Sequence, residues 1–429
     1  MTSLASRPST LTRLKHVVAL RRSRDDGAQE ASPYIGLENI ESATGRLVGE
    51  SDSPDRPTPL STGGGESLSN VFEPGDVLFG KLRPYLAKAW VATFPGRCTT
   101  ELLVMQPVAA EARFLRYVLL SPEFIDAVDA STFGSKMPRA DWDTIGNMAV
   151  PVPQPSQQRA IADYLDRETG RLDRLVAAKE RVLGLLAEKR RALITRAVTR
   201  GLDPSAPLRP SGVPWLGPIP AHWHVSKIAY FAKVGNGSTP ARDNLDFWSG
   251  GDYPWLNSSV VNQEEVTAAD QFVTAAALSG CHLPRVPPGS VLIGITGQGK
   301  TRGMAAVLRF EATINQHLAF ITTDPRSALP EYLRLVFVAA YGYMRDESDS
   351  GGSTKGAITC EQLSQFRVPG PPLQEQQTIV AHITAETAKL DAMRAAIERT
   401  IALLTERRAA LIAAAVTGTA NSGLFDDRN

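Results

Sequence analysis

VPVPQPSQQRAIADYLDRETGRLDRLVAAKERVLGLLAEKRRALITRAVT (150–199) is repeated later in the chain as VPGPPLQEQQTIVAHITAETAKLDAMRAAIERTIALLTERRAALIAAAVT (368–417). The two segments align without a gap from Val150 and Val368 to Thr199 and Thr417, and 23 of the 50 aligned positions are identical. Self-similarity at one fixed offset is typical of a chain built from copies of one structural unit. The sequence therefore predicts two similar halves.

The match between the halves extends upstream in a looser form. PGDVLFG (74–80) corresponds to PGSVLIG (288–294), and GSK (134–136) resembles STK (353–355) after small gaps. The order along the chain is therefore a variable domain, a long helix, a second variable domain and a second long helix.

Each repeated segment predicts a long helix with an apolar seam. About 45 residues follow a proline-rich opening, which gives roughly 65 Å at the rise of an α-helix. Apolar residues recur every seven positions, so we expect the two helices to form an antiparallel coiled coil and to offer a partner interface. Two helices from unrelated bundles would also fit this pattern. Lys179 stands in the seam opposite Ile397 in the alignment, and we expect its ammonium group to reach solvent. The seam residues are Leu165, Leu172, Leu186, Leu193, Ile383, Leu390, Ile397, Leu404 and Leu411.

The boundaries follow from the repeat and from proline. Proline occupies six positions of DPSAPLRPSGVPWLGPIP (203–220), a composition that ends a helix and favours an extended connector. Glycine and serine in residues 53–67 indicate a surface loop. The predicted segments are a first variable domain (1–149), a first helix (150–201), a connector (202–220), a second variable domain (221–367), a second helix (368–418) and a C-terminal tail (419–429).

The variable domains contain short β-type runs separated by glycine, proline and basic residues, which predicts an α+β, β-rich fold. No acidic residue occurs from Val77 to Thr100 or from Gln271 to Phe310. A basic loop between matched strands suits phosphate contact, although an ordinary solvated hairpin would have the same composition. The candidate DNA-binding residues are Lys81, Arg83, Tyr85, Lys88, Ser135, Lys136, Arg139, Lys300, Thr301, Arg302, Thr354 and Lys355.

Composition sets the broad class. The 429 residues are 43% hydrophobic and 21% charged, which is typical of a globular protein with two or three cores, and the formal net charge is only +1. Basic residues are nevertheless concentrated locally, because residues 1–24 carry six of them and no acid. We found no apolar run that could span a bilayer and no secretion signal, so we expect a cytoplasmic protein. The three cysteines form no CxxC pair, and we expect no metal site in them.

Two motifs suggest chemistry and are set aside. GITGQGKT (294–301) fits the phosphate-loop pattern, but the residues after it predict strands where that pattern requires a helix. His222 and His224 could share one face of a strand, but no third ligand stands nearby in sequence. Together with the absence of recognisable nucleophile or zinc motifs, this indicates a protein that is not itself an enzyme.

Several stretches resemble the specificity subunits of type I restriction-modification systems. They are SGVPWLGPIPAHWHVSKI (211–228), YIGLENI (34–40), FGKLRPYLAKAW (79–90) and the two helix openings at 150–165 and 368–383. The resemblance covers nearly the whole chain, although the first half lacks a WLGPIPAHW opening.

The resemblance implies two target-recognition domains related by pseudo-two-fold symmetry, which read a bipartite double-stranded DNA site. It also implies that the helices dock two DNA methyltransferase subunits and, through them, restriction subunits. S-adenosylmethionine, ATP and Mg would then belong to the partner subunits, and this chain would bind no cofactor. A coiled-coil scaffold that joins two protein-binding domains is the alternative, and a nucleotide-hydrolysing second half would rest on the phosphate-loop match alone.

Overall fold

The computed structural model describes residues 10–25, 32–48, 68–297, 299–350 and 356–418. Thr354, Lys355, the glycine- and serine-rich segment 53–67 and residues 419–429 therefore lie outside the described residues. The chain divides into unit 1 (residues 1–180 and 398–429) and unit 2 (residues 181–397). Each unit combines sheets with parts of two long helices, so the predicted α+β, β-rich fold is confirmed.

Unit 1 is built on two small sheets. Strands β2, β9, β6 and β7 form an antiparallel sheet in that order, and β3, β5, β8 and β4 form a second one in which β4 runs parallel to β8. The elements are β1 (Thr10–Arg13), β2 (Val18–Leu20), β3 (Arg24–Asp25), β4 (Tyr34–Ile35), β5 (Ser69–Phe72), β6 (Val77–Gly80), β7 (Ala89–Val91), β8 (Gly96–Cys98), β9 (Leu102–Pro107), α1 (Ala112–Leu120), α2 (Pro122–Ala130), α3 (Trp142–Ile145) and β10 (Ala149–Val152).

The main core of unit 1 lies between the first sheet and helices α1 and α2. Phe79 from β6, Phe114 from α1 and Val128 from α2 are almost completely buried there. Helix α1 begins after Glu111 because the Glu111 carboxylate accepts a hydrogen bond from the Phe114 amide, which would otherwise lack a partner within the helix. Burial of the two aromatic side chains contributes to the stability of unit 1.

Unit 2 repeats this plan with additions. Strands β14, β21, β18, β19 and β16 form one sheet, and β17, β15 and β20 form another. The elements after β10 are α4 (Pro155–Arg200), β11 (Leu208–Pro210), β12 (Pro218–Pro220), β13 (His224–Lys227), β14 (Ala232–Asn236), β15 (Tyr253–Leu256), β16 (Glu265–Val266), β17 (Gln271–Val273), α5 (Ala275–Gly280), β18 (Val291–Gly294), β19 (Ala305–Leu308), β20 (Thr313–Ile314), β21 (Leu318–Thr323), α6 (Pro330–Ser350), α7 (Cys360–Gln365), β22 (Arg367–Gly370) and α8 (Leu373–Thr417).

The repeat is visible in the strand pairing. The first strand of unit 1, β1, runs antiparallel to β10, and β13 runs antiparallel to β22 in the same way in unit 2. Each pair precedes a long helix. Antiparallel pairing of the first and last strands of a half joins distant ends of one domain, which is why each half closes on itself before its helix begins.

A buried glutamine repeats at the start of each long helix. The Gln158 side chain donates to the carbonyl oxygens of Pro153 (2.9 Å) and Ala109 (3.4 Å) and accepts from the Glu111 amide (2.6 Å). In unit 2 the equivalent residue is Gln376, which contacts the backbone of Pro371, Ser327 and Leu329 in the same pattern. Both glutamine side chains are shielded from water, so these hydrogen bonds fix the angle at which each helix leaves its domain.

The long helices contribute to both units. Helix α4 begins in unit 1 and ends in unit 2, and α8 does the opposite. Within unit 1, Arg408 of α8 pairs with Asp173 of α4 at 3.0 Å; within unit 2, Arg190 of α4 pairs with Asp391 of α8 at 2.8 Å. Both pairs join an early position on one helix to a late position on the other, as antiparallel helices require. The nine predicted seam residues and Lys179 are all buried or half-buried.

The proline-rich connector is more structured than predicted. Leu208–Pro210 and Pro218–Pro220 are extended, but they pair as a two-stranded antiparallel sheet, and Val213, Leu216 and Ile219 are buried in the main core of unit 2. The segment is therefore part of unit 2, because three apolar residues between the prolines find a core to enter. Helix α4 is followed by Gly201, whose φ of +70° is the left-handed conformation that favours glycine.

Among the described residues, the helices include none that combines the length and the apolar character needed to cross a lipid bilayer.

Candidate nucleic-acid interface

Three short segments meet on the surface of unit 1. Residues 81–83 follow β6, residues 100–101 precede β9, and residues 138–140 precede α3. The Lys81 amide donates to the Glu101 carbonyl (3.0 Å), the Ala140 amide donates to the Lys81 carbonyl (3.0 Å), and Leu82 forms a β-bridge with Arg139. We call these three segments the first platform.

Unit 2 contains the same arrangement in residues 295–297, 316–317 and 356–358, the second platform. The Ile295 amide donates to the His317 carbonyl (3.0 Å), the Ile358 amide donates to the Ile295 carbonyl (2.8 Å), and Thr296 forms a β-bridge with Ala357. The three contacts correspond one to one with those of the first platform. The backbone of the two platforms is therefore repeated, while most side chains on it differ.

Backbone conformation supports this equivalence. Arg83 in the first platform has a φ of +52°, and Gly297 at the equivalent position of the second has a φ of +107°. A non-glycine residue in the left-handed region is uncommon and is strained. The Arg83 amide donates to the Pro138 carbonyl at 2.7 Å, which helps to hold the strained residue in place.

Predicted site residues reach solvent on the first platform and on the segments next to it. The side chains of Arg83 and Tyr85 are exposed, and so are Ser135 and Lys136 on the neighbouring loop. Lys81 is half-buried. Sequence reasoning treated the loops around residues 81 and 136 separately, and the structure brings them together through the bridge between Leu82 and Arg139.

Two predicted residues of unit 1 are occupied by internal contacts. The Lys88 ammonium donates to the Leu37 carbonyl at 2.6 Å, and burial lowers the pKa of this lysine. The Arg139 guanidinium makes two hydrogen bonds with the Glu101 carboxylate, at 2.9 and 3.1 Å. Lys88 therefore stabilises the fold, and Arg139 reaches the surface only as one half of an ion pair.

The predicted residues of unit 2 divide in the same way. The Lys300 side chain is exposed. Two hydrogen bonds attach its loop to α6: the Tyr341 hydroxyl donates to the Lys300 carbonyl (2.8 Å), and the Arg345 guanidinium donates to the Gly299 carbonyl (2.6 Å). Thr301 is half-buried. Arg302 was predicted to contact DNA, but its side chain is 2% exposed and is bound by Asp349 at 2.7 Å. That expectation was wrong, because the arginine is buried within unit 2.

The phosphate-loop pattern has no phosphate-loop structure. The chain after Lys300 continues into strand β19 (Ala305–Leu308), and a nucleotide cradle of this kind requires a helix at that point. The His222 imidazole contacts the Glu375 carboxylate at 2.9 Å, while His224 lies on β13. Within the described residues there is no group of three side chains that could hold a metal ion.

Sequence reasoning missed a cavity of about 760 Å³ beside the first platform. Cationic side chains outnumber acidic ones in its walls, which also include an indole ring. The basic run in residues 1–24 was the available signal, but sequence alone did not show that Arg21 and Arg22, which follow β2, and Arg24, in β3, lie next to Lys81. Cations beside an indole ring suit a phosphate group and a stacked base. The charged and aromatic lining consists of Arg21, Arg22, Arg24, Lys81, Asp141, Asp143 and Trp142.

The chain thus consists of two repeated domains with matched surface platforms and two long antiparallel helices. The family model for the "Type I restriction modification DNA specificity domain" matches residues 220–401. The chain is 31% identical over 170 residues to the type I restriction enzyme MjaIX specificity subunit of Methanocaldococcus jannaschii, a match that covers 38% of each protein. It is 23% identical over 145 residues to the EcoR124I/EcoR124II specificity subunit of Escherichia coli, a match that covers 34% of this chain and 36% of that protein.

A solved structure shares the fold along the whole length. Its title is "Structural basis underlying complex assembly and conformational transition of the type I R-M system", and it matches with a TM-score of 0.70 over 96% of this chain and 98% of that chain, at 21% identity. The sequence matches span little more than a third of the curated relatives' length. The family model and both relatives come from type I restriction-modification specificity proteins, so the resemblance seen in the sequence motifs is confirmed as a resemblance.

Proposed function

We propose that this chain reads a bipartite double-stranded DNA site, one half-site with each platform, as the specificity subunit of a type I restriction-modification complex. The observation that carries the proposal is the pair of platforms, whose backbone hydrogen bonds are the same and whose side chains differ. Two readers with one framework and different side chains suit two half-sites of different sequence.

Electrostatics supports DNA at the first platform. Arg83 of the platform and Lys136 of the adjoining loop are exposed, and Lys81 of the platform lines the cavity that contains Arg22 and Arg24. Such side chains neutralise phosphate charge and position the protein on the duplex, while side chains aimed at base edges provide sequence preference. The net charge of +1 does not oppose this role, because charge is unevenly distributed and four basic side chains line the cavity beside the platform.

The helices are the proposed site for partner subunits. Apolar side chains remain exposed on them, including Leu175 and Val182 on α4 and Met393 and Leu403 on α8, each more than 40% accessible. Exposed apolar side chains on a helix can supply contacts to a partner protein. We propose that DNA methyltransferase subunits bind there and that restriction subunits join through them.

In this proposal the chain is not catalytic. Methyl transfer from S-adenosylmethionine, and cleavage driven by ATP with Mg, belong to the partner subunits. The chain supplies recognition and orientation.

A domain exchange tests the proposal. The chain is coexpressed with its methyltransferase subunit, and methylated sites are located by sequencing; residues 1–149 are then replaced by the equivalent domain of a relative. We expect a two-part methylated sequence in which the exchange changes one half only. A change in both halves would contradict independent readers, and stable assembly without any sequence preference would instead favour the scaffold alternative.

A further inference from the structure

Polar side chains of the second platform and the neighbouring Thr239 form a hydrogen-bonded row, and none of these residues was predicted as a site residue. The Thr239 hydroxyl donates to the Gln316 amide oxygen (2.6 Å), the Gln316 amide nitrogen lies 3.4 Å from His317 Nε2, and His317 Nδ1 lies 2.6 Å from the Thr296 hydroxyl. Both Gln316 and His317 are exposed. The row of hydrogen bonds therefore runs from Thr239 through Gln316 and His317 to Thr296, and its two central side chains are at the surface.

The turn that presents these side chains is rigid. Asn315 is 4% exposed; its amide donates to the Leu256 carbonyl at 2.9 Å, and its side-chain oxygen accepts from the His317 amide at 3.0 Å. A buried side chain that fixes the backbone of the next two residues limits their motion. Rigid presentation lowers the ordering cost of binding and sharpens discrimination between ligands.

The hydrogen-bond chain determines the directions of the donors. An amide nitrogen can only donate, so His317 Nε2 accepts from Gln316 and His317 Nδ1 donates to Thr296. One hydrogen of the Gln316 amide nitrogen and one lone pair of its oxygen remain available to a ligand. That pairing of one donor with one acceptor matches the adenine edge in the major groove, which offers N7 as acceptor and N6 as donor.

Comparison with unit 1 shows that the Gln316 and His317 side chains are not part of the backbone arrangement that the two platforms share. The positions equivalent to Gln316 and His317 are Thr100 and Glu101, and Glu101 is paired with Arg139. The backbone hydrogen bonds around both turns are the same, so the fold itself does not require glutamine and histidine at these positions. Exposed side chains that differ on a shared backbone are the ones free to encode different half-sites.

We propose that Gln316 is a specificity-determining residue that reads an adenine in the second half-site, and that Thr239 and the Thr296–His317 pair position it. The proposal rests on the proposed function and names the base contact within it. It requires an A·T pair in the half-site that is assigned to the second domain.

The test uses the full chain coexpressed with its methyltransferase subunit and sequencing of methylated sites. Gln316→Ala is expected to reduce the preference for the A·T pair at one position of the second half-site by roughly tenfold to hundredfold, which is the range for loss of a two-bond base contact. The first half-site and the gap should not change. Gln316→Glu is expected to transfer preference at that position towards cytosine, whose N4 group donates to a carboxylate.

Control variants isolate the effect. Gln365→Ala removes another exposed glutamine of unit 2, whose partner is Lys227, and should leave the recognised sequence unchanged. Thr239→Val removes the hydroxyl that orients Gln316 and should weaken the same position less than Gln316→Ala does.

The outcomes are distinct. A wild-type complex that shows no two-part sequence contradicts the proposed function. A two-part sequence whose second half lacks an A·T pair, or a second half that is unchanged in Gln316→Glu, overturns the assignment of Gln316 alone. If Gln316→Ala abolishes all methylation, the Gln316→Glu variant is the test: a shift towards cytosine at one position of the second half-site supports the assignment, and an unchanged second half-site overturns it.

Discussion

Replacement of Arg408 by alanine is expected to release the loop at residues 41–48 from the long helices in unit 1. The Arg408 guanidinium is 9% exposed and contacts the Asp173 carboxylate as well as the carbonyl oxygens of Ala43 and Thr44. Arg46 of the same loop also binds Asp173. A single buried arginine therefore connects α8, α4 and the loop at residues 41–48 of unit 1, and we call this group the first clasp.

The magnitude follows from these contacts. A hydrogen bond to a charged group contributes about 1.5–3 kcal/mol, and loss of one partner of a buried ion pair costs about 3–5 kcal/mol. Arg46 still neutralises Asp173 in the variant, and water can reach the two carbonyl oxygens. We therefore expect about 3 kcal/mol for local opening of this loop, which corresponds to roughly a 150-fold increase in its opening constant.

Hydrogen exchange measured by mass spectrometry provides the assay. The amides of Glu41, Ala43 and Val48 are hydrogen-bonded, to Arg46, Ala87 and Asn39 respectively, so their exchange rates report opening of this loop. Arg407→Ala, which removes an exposed neighbour on the same helix, should leave the rates near wild type. Exchange that is equally slow in Arg408→Ala and wild type would refute the reasoning.

The second unit offers an internal comparison. In the alignment of the two repeated segments, Arg190 is the counterpart of Arg408, and Asp391 is the counterpart of Asp173. In unit 2, Arg190 binds Asp391 and also Glu264, which is held in turn by Arg334 at 3.0 Å. Arg190→Ala should accordingly loosen the loop that contains Glu264 and leave residues 41–48 unaffected.

Three further outcomes are expected. Gln158→Leu should lower the free energy of unfolding by about 2–4 kcal/mol in urea titrations, because two backbone carbonyls and one amide lose their partner in a buried site; an unchanged midpoint would contradict this. Burial raises the pKa of Cys98 to about 12, so alkylation by iodoacetamide at pH 8 should be far slower in the native chain than in urea, as measured by peptide mass. Burial likewise raises the pKa of Tyr117 to about 12, and its hydroxyl donates to Asp166 at 2.7 Å. Because the pKa of Tyr117 is higher in the fold than the ordinary tyrosine value near 10, its contribution to stability is fully present below about pH 10 and is lost as pH rises through about 12. Tyr117→Phe should therefore flatten the fall in the free energy of unfolding between these two pH values.

The long helices and the repeat could be predicted from sequence because their signals are local. Heptad spacing can be read within one segment, and the gapless alignment compares just two segments. The helices at Pro155–Arg200 and Leu373–Thr417 begin a few residues after the predicted starts at residues 150 and 368. The first residues of those segments lie in the strands Ala149–Val152 and Arg367–Gly370. Their pairing partners, β1 and β13, lie at the opposite end of each half of the sequence, so local patterns could not reveal them.

The platform residues were predictable only in part. The loops that carry Arg83 and Lys300 could be found because the sequence around them has no acidic residue. Composition does not distinguish an exposed cation from a buried one. Arg302 is buried because Asp349, far along the chain in α6, supplies a carboxylate within unit 2. Gln316 and His317 carry no charge signal at all, and only their position on a repeated backbone distinguishes them.

An internally duplicated protein provides its own comparison set. Where both copies keep a residue, as with Gln158 and Gln376 or the clasp pair Arg408–Asp173 and Arg190–Asp391, the shared contact is one that the fold needs twice. Where the copies keep the backbone hydrogen bonds and change the side chain, as at Glu101 and His317, the fold does not depend on which of the two side chains is present. Variation on an unchanged framework therefore separates residues that can encode a ligand from residues that hold the domain together, and the second platform should tolerate replacement of His317 without loss of folding even where recognition changes.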